Sequence, residues 1–431
     1  MVIKMNNLLQ KVEIKNFWGN GIKIEINFDE NVNFLIGPNG SGKTTVLNLI
    51  ASALSADLEQ VQNFIFDSIT VIFKQQNSNK KPKMILEKNH NDDILTYKIY
   101  DTSSSQKAVE FYFDKYDLNE FSEAGRRRHG NFNRSLNNRA TFELSRKLNS
   151  LYKVSWLTIH RLPRHLTDER SYESTIDLKI NNINNELIRY FSALKTSADK
   201  QMIKFQEFVF LSLISSDDTL TLDNRNNTKA EKSLLIDIFK EFKIQEQTYY
   251  EKVAKHFEKL ETVYKKLENN QSLEGNEGIV VLENRRVHKV VDEWTKMKEE
   301  EKSIYQPQET FLNILNGLMI NKEFYISVNN ELEVKLKNNL EGNNSLTLMK
   351  LSSGEKQLLI LLAETFLQKN KTWLYFADEP ELSLHIDWQE KLVKNMKQLN
   401  PNAQLIIATH SPDIVASYSN NIIQMENIIH E

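Results

Sequence analysis

The chain contains no cysteine. A disulfide framework, a thiolate metal site and a cysteine nucleophile are therefore excluded, and the composition suits a reducing, cytoplasmic setting. Glycine (12 residues) and proline (7) are scarce in 431 residues, so no long flexible linker is expected between domains. No run of 18 apolar residues occurs, so no segment is expected to span a membrane. The first ten residues lack the apolar core of a signal peptide. Charge of neither sign dominates: 55 Lys and Arg face 58 Asp and Glu, a net −3. No global field draws this chain onto nucleic acid, so such binding would need a local patch.

What is present is ordinary for a soluble globular protein. Hydrophobic residues make up 40% and charged residues 26%. The length suits two to three domain-sized units. Residues 9–14 and 22–28 alternate as half-buried strands, and 31–36 is a short apolar run. Helical spacing follows over 44–54, then strand patterns at 68–73, 83–86, 95–99 and 154–159. From about 184 to 314 the pattern is helical. Tyr250, Val253, Phe257, Leu260, Tyr264 and Leu267 form a heptad stripe, read as a packed hairpin or a subunit contact. Asn269, Asn270 and Gly275 are read as breakers before a second helical stretch, 290–302. Strand patterns return at 324–328, 332–336 and 345–349. These changes divide the chain into an N-terminal lobe (1–183), a helical insertion (184–320) and a C-terminal lobe (321–431).

Four motifs carry chemistry. Gly37-Pro38-Asn39-Gly40-Ser41-Gly42-Lys43-Thr44 follows a strand and opens a helix, as a phosphate-binding P-loop does. Its backbone N–H groups and the helix N-terminus suit phosphate oxygens. Lys43 is placed to reach the β- and γ-phosphates of ATP, Thr44 to hold Mg²⁺, and Thr45 continues the loop. Residues 373–379 form an apolar strand that ends in Asp378 and Glu379. Asp378 suits Mg²⁺, and Glu379, one residue on, suits the attacking water. Ser352-Ser353-Gly354-Glu355 opens an apolar helix, with Ser352 or Ser353 as N-cap and Glu355 as its capping-box partner. It is a capped helix, or a second helix N-terminus that meets the γ-phosphate of another subunit. A last apolar strand, 405–409, ends in His410, which is a structural histidine or a contact to the γ-phosphate or water.

The ordered set GPNGSGKT, LSSGEKQ, LYFADEPELSLH and IIATHSP resembles the ABC-type ATPases. It is most similar to their chromosome-maintenance (SMC-like) and OLD lineages, and among them to the OLD-like ATPases. The resemblance covers about residues 9–55 and 345–425. It implies an α/β ABC-type P-loop ATPase head, a mixed sheet with flanking helices, and a mostly helical insertion that contains a short coiled-coil-like hairpin. It implies ATP and Mg²⁺ as cofactors. It also implies a homodimer, or a higher homo-oligomer, that sandwiches two ATP molecules. Each site then takes Lys43, Thr44, Asp378, Glu379 and His410 from one chain and Ser352 and Gly354 from the other. Two features depart from the pattern. His385 stands where transporters carry Asp, and the Q-loop glutamine has only rival candidates, Gln75 or Gln76 and the strand end at His160-Arg161.

Only 21 residues follow His410, too few for the nuclease domain that OLD nucleases carry there. The resemblance therefore points to stand-alone ATPase subunits of anti-phage systems such as PARIS and Septu, with a lean toward PARIS. Such a subunit works with a separately encoded effector, expected to be a nuclease. DNA repair or maintenance at DNA ends is the alternative function. Residues 126–170 add a local feature: eleven Arg and Lys against three Asp and Glu, an excess of +8. The segment reads as a surface for nucleic acid or for an acidic DNA-mimic protein, or as an ion-paired solvated face.

Overall fold

In the computed structural model, the described residues are 7–76, 78–89, 94–102, 105, 107–114, 131–157, 174–214, 228–337, 345–415 and 418–430. They form two compact units: 1–188 together with 310–431, and 189–309.

The first unit holds three sheets. Strands β1 (Asn7–Phe17), β2 (Ile22–Asn27), β4 (Ser68–Gln75), β5 (Lys83–Asn89), β6 (Ile94–Tyr100), β7 (Val109–Asp114) and β15 (Ile429–His430) make a seven-stranded antiparallel sheet in the order β15-β2-β1-β4-β5-β6-β7. Strands β3 (Val32–Ile36), β8 (Val154–Leu157), β12 (Trp373–Asp378), β13 (Ala403–Ala408) and β14 (Ile422–Gln424) make a parallel sheet in the order β14-β3-β13-β12-β8. A small antiparallel sheet joins β9 (Lys322–Ile326), β10 (Leu332–Leu336) and β11 (Ser345–Leu346). The helices in chain order are α1 (Lys43–Ser55), α2 (Leu58–Gln62), α3 (Asn131–Leu151), α4 (Thr175–Ser212), α5 (Thr228–Glu241), α6 (Glu246–Glu268), α7 (Gly275–Leu318), α8 (Ser353–Leu367), α9 (Ile386–Leu399), α10 (Pro412–Val415) and α11 (Met425–Ile428).

The α/β head thus takes the form of a parallel nucleotide-type sheet and a larger antiparallel one. Helix α1 belongs to the core that both supply. Val46, Leu47, Leu49, Ile50, Ala51, Ala53 and Leu54 are all essentially inaccessible, which leaves α1 no wide polar face. The same buried cluster includes Val12, Ile14, Ile69 and Val71 of the antiparallel sheet and Leu374, Phe376 and Ile406 of the parallel one. The alternation of β1 and β4 fits a sheet with one covered face. The unbroken burial of β13 fits a central parallel strand.

Gln404, inaccessible in the middle of that core, ties the two sheets together. Its Oε1 accepts from Leu9 N (2.7 Å), and its Nε2 donates to Leu9 O (2.8 Å) and Asp29 O (2.7 Å). Replacing it with Leu strands one donor and two acceptors in an apolar interior. Gln404→Leu is expected to destabilise the first unit by about 3 kcal/mol. Denaturant unfolding checks this, and an unchanged midpoint would contradict it.

Helix α8 is held to the first turns of α4 by two ion pairs, Lys356–Asp177 (2.6 Å) and Lys179–Glu364. Phe366 of α8 stacks on Phe311 of α7, with ring centroids 4.5 Å apart.

In the second unit, α6 packs Tyr249, Val253, Phe257 and Leu260 against Leu235, Ile236 and Phe239 of α5 and Val280 and Val287 of α7. The heptad stripe is therefore spent inside the chain as a packed hairpin. Its edges differ from the sequence expectation: Tyr249 and Val263 are buried, while Tyr250 is 52% exposed. A helix period of 3.6 drifts away from strict heptad spacing, and a globular bundle follows the former. Gly275 does not end a helix but opens α7, one helix of 44 residues that absorbs the stretch 290–302 and carries Pro307 within it. In the small sheet, the strand pattern at 324–328 shifts to 322–326, leaving Val328 in a turn and 92% exposed. The pattern at 345–349 contracts to 345–346, and Leu348–Lys350 forms a 3₁₀ turn.

Candidate active site

Strand neighbours decide where the motifs meet. β3, β13 and β12 lie side by side and parallel, with Leu35 beside Ala408 and Ala408 beside Asp378. Their carboxyl ends therefore deliver the P-loop, His410 and the Asp378-Glu379 pair to one edge, where parallel sheets bind ligands. Thr409 N donates to Leu35 O (3.2 Å), and Glu379 N donates to Ala408 O (2.8 Å), so the ladder continues one step past the strand ends.

The P-loop covers residues 37–42. Pro38, Asn39 and Gly40 are exposed, and Gly37, Ser41, Gly42, Thr44 and Thr45 are half-buried. Gly42 is the N-cap of α1 at φ +92°, a left-handed conformation. A Cβ there would also sit 2.8 Å from Trp18 of the β1–β2 turn, so a side chain is excluded twice. Trp18 itself packs on Phe17 with centroids 4.6 Å apart and forms an aromatic wall beside the loop.

Lys43 is buried and folds back on the loop, donating from Nζ to Gly37 O (2.9 Å) and Pro38 O (3.1 Å). Burial pulls its pKa below the ordinary lysine value, opposed by the charges of Glu379 and Asp378. Thr44 Oγ1 donates to Asp378 Oδ1 at 3.0 Å across 334 residues of sequence. Burial raises the Asp378 carboxyl above its usual range, and Glu379 and Glu381 add to that, against the Thr44 hydrogen bond and Lys43. A hydroxyl and a carboxylate oxygen, adjacent and half-buried with excess negative charge around them, suit a hard divalent cation such as Mg²⁺.

Glu379 takes φ +46°, left-handed and unusual for a residue with a long side chain. Its carboxylate Oε1 lies 4.0 Å from His410 Nε2. The next residues are anchored in turn. Glu381 Oε1 accepts from Thr409 Oγ1, from His410 N (3.0 Å) and from Ser411 N (3.3 Å).

Ser352, Ser353 and Gly354 lie at the start of α8. Ser352 caps α8 with the full capping box: its Oγ accepts from Glu355 N (3.4 Å), and Glu355 Oε2 accepts from Ser352 N (2.9 Å). Both serines are exposed, and among the described residues no hydrogen bond joins them to the P-loop. Gly354 has an intrachain reason to be glycine. A Cβ would lie 2.3 Å from Ser383 O in the turn after Glu379. Gln357, buried one turn on, donates to Pro380 O (3.0 Å) of the same turn. Trp18, Gln357 and Glu381 escape a reading of the sequence because each acts through a contact remote in the chain.

Two expectations need correction or lie elsewhere. Gln75 and Gln76 cannot serve as the Q-loop. Gln75 pairs with Asn7 at the start of β1, whereas Phe17 at its other end lies against Gly42. Ten residues of strand separate these ends by roughly 30 Å. His160 and Arg161 lie outside the described residues, as do Arg126, Arg127, Arg128, Arg164 and Arg170 of the basic segment. Within that segment, Arg139 pairs with Glu143 (3.0 Å), Lys147 with Asp101 (3.1 Å) and Lys153 with Asn149 (3.3 Å). His385 caps α9, accepting from Asp387 N at 3.4 Å.

Residues 8–415 match the model of a protein family described as AAA ATPase domain (AAA_15). The chain belongs to this family. It is an ATPase that splits ATP with water into ADP and phosphate. The ATPase is 23% identical over 409 residues to a retron Vc95 probable ATPase of Vibrio cholerae, covering 93% of this chain and 69% of that protein. A second relative, a retron Ec83 probable ATPase of Escherichia coli, is 33% identical over 99 residues, which cover 20% of this chain and 18% of that protein. Among solved structures, an Smc head domain with an extended coiled coil from Pyrococcus furiosus overlays with a TM-score of 0.41 at 16% identity, covering 97% of this chain and 93% of that one. Among the described residues, no helix of the ATPase is long and apolar enough to cross a membrane.

Proposed function

We propose that this ATPase is a nucleotide-driven switch that pairs with a second copy across ATP and controls a separately encoded effector, a nuclease, in anti-phage defence. The observation that carries the reading is the convergence of Lys43, Thr44, Asp378, Glu379 and His410 at one sheet edge. Lys43 exchanges the Gly37 and Pro38 carbonyls for phosphate oxygens when ATP arrives. Thr44 and Asp378 would hold Mg²⁺, which would supply positive charge to offset that of the phosphates. Glu379 orients the attacking water and accepts its proton, and His410, 4.0 Å away, donates to the γ-phosphoryl oxygens or the water. The exposed Ser352 and Ser353 at the N-terminus of α8 complete the site of a second copy.

The setting is drawn from the relatives. The two relatives described above are named as retron ATPases rather than as PARIS or Septu subunits. We take a retron as the setting of this chain too, with its effector encoded beside it. The excess of +8 over 126–170 suits nucleic acid or an acidic partner, and the intrachain ion pairs of Arg139 and Lys147 take up part of it.

The purified chain is expected to hydrolyse ATP but to leave DNA and RNA intact in Mg²⁺ or Mn²⁺. Co-expression with the product of the neighbouring gene is expected to give a stable complex whose nuclease activity depends on the nucleotide. Metal-dependent cleavage by the lone chain, persisting after removal of co-purifying nucleases, would overturn this division of labour.

A further inference from the structure

Glu381 is an acidic residue with 7% exposure, two residues beyond Glu379 and absent from the roles assigned so far. A carboxylate this deeply buried is costly unless it is hydrogen-bonded, and the three donors it has gathered come from one short segment. They are the Thr409 hydroxyl and the backbone N–H groups of His410 (3.0 Å) and Ser411 (3.3 Å). The turn that carries Glu381 is itself fixed from both sides. Gln357 donates to Pro380 O (3.0 Å), and Gln389 donates to Leu384 O (3.0 Å) while accepting from Ser411 Oγ (2.7 Å). Residues 379–384 and 409–411 are thus joined through one carboxylate and one amide side chain.

We propose that Glu381 is the positioning residue that sets His410 relative to Glu379. The proposal rests on the reading of His410 and Glu379 as the groups that act on the γ-phosphoryl and the water. The hydrogen bonds of Glu381 Oε1 run to residues 409–411. Glu381 grips the backbone N–H of His410 and of the following residue, and so fixes where the imidazole stands beside the Glu379 carboxylate. Since Glu379 and Glu381 share one tight turn, movement of that turn carries both partners together.

Steady-state ATP turnover of the full chain tests this, with thermal unfolding as a check on folding. Glu381→Ala leaves the Thr409 hydroxyl and the His410 N–H without an acceptor, leaves Ser411 N only its bond to Thr409 Oγ1 (2.9 Å), and frees the segment. A misplacement of about 1 Å is expected to lower kcat about 100-fold, with KM for ATP unchanged within about twofold. Glu381→Gln keeps an oxygen for the same donors and is expected to recover to within about tenfold of wild type. The double variant Glu381→Ala/His410→Ala is expected to be no slower than His410→Ala alone by more than about twofold, because both changes remove one contribution. Thr409→Val removes the hydroxyl that donates to Glu381 and accepts from Ser411 N (2.9 Å), and keeps the Glu381 bonds to His410 N and Ser411 N. It serves if Glu381→Ala does not fold, with kcat expected to fall about fivefold in wild type and not in the His410→Ala background. Wild-type turnover in Glu381→Ala beside a slow His410→Ala would sink the positioning role alone. Losses that multiply in the double variant would do the same. Wild-type turnover in His410→Ala would instead remove the reading on which the proposal rests.

Discussion

Glu379→Gln is expected to lower ATP turnover about 1,000-fold while leaving ATP binding intact. The amide keeps the volume and the left-handed turn, and the groups expected to hold the nucleotide, Lys43, Thr44 and Asp378, are untouched. What is lost is a base within reach of the water. The nucleotide-bound pair of chains should therefore accumulate, seen as a larger species on size exclusion in ATP but not in ADP. The variant also removes one negative charge beside Asp378, whose carboxyl burial already raises and Glu379 raises further. The Asp378 pKa should fall in Glu379→Gln, so its anion, and with it Mg²⁺-dependent nucleotide binding, should persist to lower pH than in wild type. A Glu379→Gln protein with wild-type turnover would reject the assignment of the base.

The contrast with Glu381 shows what a sequence does and does not expose. Gly37 to Thr44, the Asp378-Glu379 strand end and His410 are legible because each couples a local pattern to a local function. An apolar run stops, and a chemically capable residue stands at its end. Parallel pairing of β3, β13 and β12 then assembles them, and the sequence anticipates that pairing through three buried-type runs. Gln404 is illegible for the opposite reason. Its partners, Leu9 and Asp29, lie 395 and 375 residues away, and a polar residue inside an apolar strand reads as an irregularity until both sheets are in place. Glu381 is illegible because its donors are mainly backbone N–H groups, which every residue has. The helical stripe was legible in kind but not in phase, since Tyr249 and Tyr250 are both tyrosines and only packing against Phe239 selects the first.

Ser352→Arg is expected to reduce turnover at least about 100-fold in a chain that still binds ATP, because the bulk falls where a second copy's nucleotide must lie. Gly354 cannot make this point. Any side chain there meets Ser383 O within its own chain, so loss of activity would have an intrachain cause. Ser352 is exposed, but it caps α8, and replacing it costs about 1 kcal/mol of helix stability whatever its other role. Ser352→Ala removes the same cap without bulk, so the gap between the Ala and Arg variants isolates the effect of the second copy. Complementation is the stronger test. Lys43→Ala, which loses the phosphate-binding amine, is inactive alone. A mixed pair places the intact Lys43 of one chain opposite the intact Ser352 of the other, so one of its two sites is whole. Random pairing makes half the dimers mixed, so the equimolar mixture is expected to regain about a quarter of wild-type turnover. A mixture no more active than its components, or a Ser352→Arg chain that turns over normally, would show that α8 is only a capped helix and that each ATP site is complete within one chain.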